Sequence, residues 1–91
     1  MKKSIRLTIN GTVQNVSFRQ FVKDYADKYK VKGFARNLDD GRLEVFIEGD
    51  MPAVDQMTAL CKRGPPYANI RNVEEKPEKF QGFKEFKILN F

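Results

Sequence analysis

Nine consecutive residues, Gly11-Thr12-Val13-Gln14-Asn15-Val16-Ser17-Phe18-Arg19, stand where an alternating strand pattern gives way to a helical one. A strand–loop–helix junction of this kind gathers unpaired backbone N–H groups at the positive end of a helix dipole, and so favours an anion there. Arg19 falls in the first helical turn, where a cation normally costs about 0.3–1 kcal/mol against the dipole. An anion held between Arg19 and the amides would account for it, and the planar guanidinium can grip two phosphate oxygens at once, which lysine cannot. The competing reading is a solvated surface arginine. Asn37 carries a donor and an acceptor that do not titrate, suited to orienting a water without acting as a base. Asparagine also favours turns, and Asp39-Asp40-Gly41 follows directly. Gln14 either braces the loop or faces a ligand, and the sequence leaves both open.

The flanking patterns say what must position these groups. Ile5, Leu7 and Ile9 alternate with Ser4, Arg6, Thr8 and Asn10, which predicts a half-buried strand ending at Gly11. Phe18, Phe21, Val22, Tyr25, Ala26 and Tyr29 recur at helical steps, with Ser17 expected as N-cap and Gln20 completing a capping box. Residues 32–38 read as a second strand, Asp39-Asp40-Gly41 as a hairpin turn and residues 42–48 as a third strand. In that third strand Leu43, Val45 and Ile47 face the core, and Arg42, Glu44, Phe46 and Glu48 are expected on an exposed face. Asp50 and Pro52 begin a second helix with a buried stripe of Val54, Met57, Leu60 and Cys61, and Lys62, Arg63 and Gly64 close it. Residues 68–75 form a weaker strand whose broken alternation at Ile70 and Val73 suggests a bulge. Residues 83–91 form the last strand, with Phe86 and Ile88 on one face.

This order predicts an α+β fold: a ferredoxin-like α/β sandwich with an antiparallel sheet of four to five strands and two helices on one face, βαββαβ plus a C-terminal strand. A right-handed crossover makes the first two strands parallel, with the third between them. Their C-terminal ends then share one edge of the sheet, which brings Asn37 near the Gly11–Arg19 loop despite their separation in sequence.

Ninety-one residues make one domain, 1–91, and the net charge of +5 favours anionic partners. A single cysteine and no histidine remove an internal disulfide, most zinc sites and the commonest general base. A cysteine-based phosphatase would want an arginine six positions after its nucleophile, but Tyr67 stands six after Cys61, which reads as a packed core thiol. Asp39-Asp40 and Glu74-Glu75 lack a third ligand, so no metal site is read. Neither a signal peptide nor a membrane span is read from the sequence, and the expected location is the reducing cytoplasm.

The nine-residue stretch, together with Gly33-Phe34-Ala35-Arg36-Asn37 and Asp40-Gly41-Arg42-Leu43-Glu44, resembles the acylphosphatase family. That family's patterns are G-x-V-Q-G-V-x-F-R, G-[WYF]-[VA]-[RK]-N and D-G-x-[VL]-E. Gly64-Pro65-Pro66, Ala68, Ile70, Val73, Phe86 and Ile88 extend the similarity over nearly the whole chain. The resemblance implies hydrolysis of small acyl phosphates to carboxylate and inorganic phosphate without metal or cofactor, and a monomer is expected. It implies a phosphate-binding loop of Gln14, Asn15, Val16, Ser17, Phe18 and Arg19, with Arg19 on the phosphoryl oxygens and Asn37 holding the attacking water. One departure stands out: Asn15 occupies a glycine position of the pattern. Asparagine tolerates the left-handed region best among ordinary residues, so the loop can form, but the side chain puts activity and substrate choice in question.

The alternative is a catalytically weakened protein or a non-catalytic module binding anions or nucleic acid, since RNA-recognition domains share this fold shape. Such a module needs aromatics on an open sheet face. One phenylalanine between two carboxylates on the third strand is a poor platform, so nucleic acid is not the expected partner.

Overall fold

The structure is a computed structural model and describes residues 1–14 and 16–89. Its elements are β1 (Lys2–Gly11), α1 (Val16–Tyr29), β2 (Lys32–Asn37), β3 (Leu43–Asp50), α2 (Met51–Arg63), β4 (Ile70–Pro77) and β5 (Phe86–Leu89). The sheet order is β4-β1-β3-β2-β5. The first four of these strands pair antiparallel, as expected, whereas β5 joins the edge parallel to β2, so the sheet is mixed. Both helices pack on one face over a core of Ile5, Leu7, Ile9, Val45, Ile47, Phe18, Val22, Ala26, Val54 and Met57. This is the ferredoxin-like arrangement that the alternation and helical periodicities require.

Several boundaries shift for local reasons. Helix α1 begins at Val16, so Ser17 lies inside the first turn and not at the cap, and the Gln20 side chain bonds Asp24 one turn on at 2.8 Å. The capping box is therefore absent. Asp50 is the N-cap of α2, but by backbone geometry alone, while Gly64 closes the helix at φ 68° and donates its N–H to the Leu60 carbonyl at 2.8 Å. The expected bulge is present: Asn10 pairs with Asn72 and Gly11 with Ile70, which leaves Arg71 as the extra residue.

The largest correction concerns the sheet face away from the helices, which is covered. The last strand is confined, among the described residues, to Phe86–Leu89, and the chain before it crosses this face. The Phe83 ring packs against Phe34 and Phe46 at centroid distances of 5.7 and 5.4 Å. Backbone N–H groups of Gln81 and Phe83 donate to the Glu48 carboxylate at 2.8 and 2.7 Å, and the Ser4 hydroxyl donates to it at 3.0 Å. Glu44 lies between Arg6 and Arg36, each donating at 2.5 Å. Glu44, Phe46 and Glu48, expected in solvent, are buried because the crossing segment and these donors give them partners. The aromatic surface that a base-stacking module would need is thus occupied from within the chain.

Candidate active site

The strands that lead to the loop and to Asn37 finish at one end of the sheet. Leu43 on β3 pairs with Ile9 of β1 on one side and with Asn37 of β2 on the other. Two strand spacings separate Ile9 from Asn37, on the order of 10 Å, and Gly11 lies two residues beyond Ile9. The expected common edge for the ends of β1 and β2 is therefore present.

Gly11 turns the chain off the sheet where space is minimal. Its φ is 151°, and a Cβ placed there would lie 2.1 Å from the Asn69 carbonyl oxygen, the same oxygen that accepts the Thr12 N–H at 2.9 Å. Val13 is fully buried and anchors the next step. Gln14 is exposed, yet its side chain is engaged: Nε2 donates to the Leu38 carbonyl at 2.7 Å and to the Arg42 carbonyl at 3.0 Å. The amide left undecided by the sequence is a brace between the loop and the β2–β3 hairpin. Asn15 lies outside the described residues. Val16 and Ser17 are exposed in the first turn of α1, and the Phe18 side chain, fully buried, locks that turn to the core.

Arg19 is half-buried one turn into the helix. The first turn of α1 carries no acidic residue, and no carboxylate among the described residues is ion-paired with this guanidinium. Arg6, Arg36 and Arg42, by contrast, all hold carboxylates. Arg19 and the positive end of the helix thus sit together without a compensating anion from the described chain.

Asn37 ends β2 with its Oδ1 buried and without a hydrogen-bond donor among the described residues. Such atoms are rare in folded proteins and call for an explanation. A cavity of about 220 Å³ opens beside it, lined by Arg36, Asn37, Leu38 and Asp39. A larger one, of about 330 Å³, lies by β5 among Phe34, Phe83 and Leu89, away from the loop, Arg19 and Asn37. The hairpin that carries Asn37 is stiffened by Asp40, whose carboxylate accepts the Arg42 backbone N–H at 3.1 Å and its Nε at 2.8 Å. These bonds from Arg42 hold the Asp40 carboxyl below the usual carboxylate range. Cys61 takes no part: it is buried on the core-facing side of α2, and desolvation pushes its thiol up to about 12.

The sequence missed that the Leu38 and Arg42 carbonyls hold the loop. Backbone acceptors leave no trace in residue type, and only the pairing of a glutamine before the helix with a nearby hairpin hints at them.

Known proteins resemble this chain in sequence and fold. The acylphosphatase family model matches residues 5–88. An acylphosphatase of Deinococcus radiodurans is 40% identical over 92% of the chain and 99% of its own length. One from Pyrobaculum calidifontis is 45% identical over 89% of the chain and 76% of its own. The crystal structure of acylphosphatase from Bacillus subtilis superposes with a TM-score of 0.91 at 33% identity, covering 99% of this chain and all of that one. With a family match over nearly its whole length and relatives of this identity, the chain belongs to the acylphosphatase family.

Proposed function

We propose that the site hydrolyses small acyl phosphates in the following way. The amides at the start of α1 and the Arg19 guanidinium receive the phosphoryl group, and Asn37 Oδ1 accepts a hydrogen from a water aimed at phosphorus. The water oxygen bonds to phosphorus as the bond from phosphorus to the acyl oxygen breaks, with the electron pair leaving on the carboxylate. The water proton passes to a phosphate oxygen, so the products are a carboxylate and inorganic phosphate. Because the carboxylate is already a good leaving group, positioning and charge stabilisation suffice, and a chain without histidine can do this work.

The observation that carries this reading is the buried Asn37 Oδ1, without a donor among the described residues, at the sheet end where β1 leads into α1 and an Arg19 that no described carboxylate pairs with. An acceptor and a cation without partners among the described residues, on the two chain segments that finish at this end of the sheet, are what a bound phosphoryl group and its attacking water would complete. The covered sheet face counts against the nucleic-acid alternative.

Hydrolysis of acetyl phosphate by the wild type, Arg19→Ala, Asn37→Ala and Asn15→Gly, with and without chelator, tests the reading. Turnover by the wild type that survives chelator and is lost in the Arg19 and Asn37 variants is the expected result. No hydrolysis above background, or full activity in both variants, would overturn it. Activity confined to Asn15→Gly would identify a weakened family member.

A further inference from the structure

The cradle and the water-holding residue belong to different parts of the chain, and something must fix the distance between them. The cradle is tied on its β4 flank by the bond from the Thr12 N–H to the Asn69 carbonyl, which does not reach Asn37. On the other flank stands Gln14. Its two Nε2 hydrogens go to the carbonyls of Leu38, the residue after Asn37, and Arg42, across the hairpin.

Neither carbonyl needs Gln14 for its own sake. The Arg42 carbonyl already accepts the Leu38 N–H at 2.8 Å, and the Leu38 carbonyl accepts the Gly41 N–H at 3.2 Å. The Asp40 carboxylate stiffens the same turn. The hairpin is closed without the glutamine, and removing that side chain orphans no buried group, since the bonds lie at the exposed end of the sheet. What the pair of bonds adds is a rigid link between one backbone segment and the other.

We propose that Gln14 is a positioning residue for catalysis, whose side-chain amide sets the separation between the phosphate cradle and Asn37 Oδ1. The inference rests on the acyl phosphate reading above. Gln14 touches neither phosphate nor water through this amide. It acts on the alignment of water with phosphorus, and a misplacement of about 1 Å in such an alignment can cost roughly 10²-fold in rate.

The test is a double-mutant cycle on acetyl phosphate hydrolysis with Gln14→Met, which keeps length and removes both donors, and Asn37→Ala. Gln14→Met should lower kcat by about 10- to 100-fold, with KM changed by no more than about threefold and little change in Tm. In the Asn37→Ala background the same substitution should cost less than about threefold, because no aligned water remains to be misplaced. Gln14→Glu, which also lacks the donors, should lower kcat at least as far. An unchanged kcat in Gln14→Met, or an equal loss in both backgrounds, would overturn the inference while leaving the acyl phosphate reading standing. Absence of hydrolysis by the wild type would overturn both.

Discussion

Two regions of this protein treat buried polar atoms in opposite ways. On the sheet face away from the helices, the Glu48 carboxylate receives three donors and Glu44 receives two guanidinium groups, so every acceptor drawn out of water is occupied. At the end of the sheet where β1 and β2 finish, no donor among the described residues reaches the equally enclosed Asn37 Oδ1, and none of their carboxylates pairs with Arg19. Leaving a buried acceptor empty costs on the order of 1–3 kcal/mol. On the proposed reading, the first region is fixed structure and the second is kept for a ligand.

The sharpest way to break this contrast is to remove groups at the open end. Arg19→Ala and Asn37→Ala should each lower turnover on acetyl phosphate by about 10² to 10³, equivalent to about 2.7–4 kcal/mol of transition-state stabilisation. Neither should lower Tm. Arg19→Ala should even raise stability by about 0.3–1 kcal/mol in the absence of phosphate, since it removes a cation from the positive end of a helix. A large fall in Tm in either variant would mean that these groups hold the fold and are not reserved for a ligand.

Glu48 supplies the opposite case. Glu48→Gln keeps the shape but turns one acceptor into a donor, which must then face the backbone N–H of Gln81 or of Phe83. We expect a loss of about 2 kcal/mol, a fall in Tm of about 10 °C, and acetyl phosphate turnover within about twofold of wild type well below the transition. Thermal scans and assays on the same samples measure both. If turnover collapsed while Tm held, the covered face would belong to the site and the contrast would dissolve.

The two regions also differ in how far the sequence revealed them. The open end was legible because its signals are local or topological. A glycine at a strand end, a cation in a first turn and an asparagine at the end of the parallel strand two places away all follow from residue type and strand order. The covered face was not, because Glu44 and Glu48 obey the alternation that normally marks solvent. Only the return of residues 78–85 across the sheet buries them, and that path has no periodic signature. Arg36, directly opposite Glu44 across the β2–β3 pair, was the available hint. The failed capping box has a similar cause: Ser17 and Gln20 have the right spacing, but the helix begins at Val16.

Cys61 tests whether an unpaired buried group always signals function. Its thiol lies in the core, and burial raises it from 9.0 to about 12, so like Asn37 it is tolerated because it is neutral. Here the sign is definite. Below the unfolded value near 9 both states hold the proton, and stability does not depend on this group. Above it the unfolded chain releases the proton while the folded chain keeps it, so stability falls as pH rises towards 12. At pH 10 the loss should be about 1 kcal/mol, and it should be missing from Cys61→Ala. Urea unfolding of both proteins at pH 8 and pH 10 isolates it, because the substitution changes no other side chain and the cavity it leaves lowers the variant's stability equally at both pH values. Acetyl phosphate turnover at pH 8 should be the same in the two proteins. Equal pH dependence would mean that the thiol ionises in place, and Asn37 Oδ1 would then be the better example of a group kept out of water at a cost.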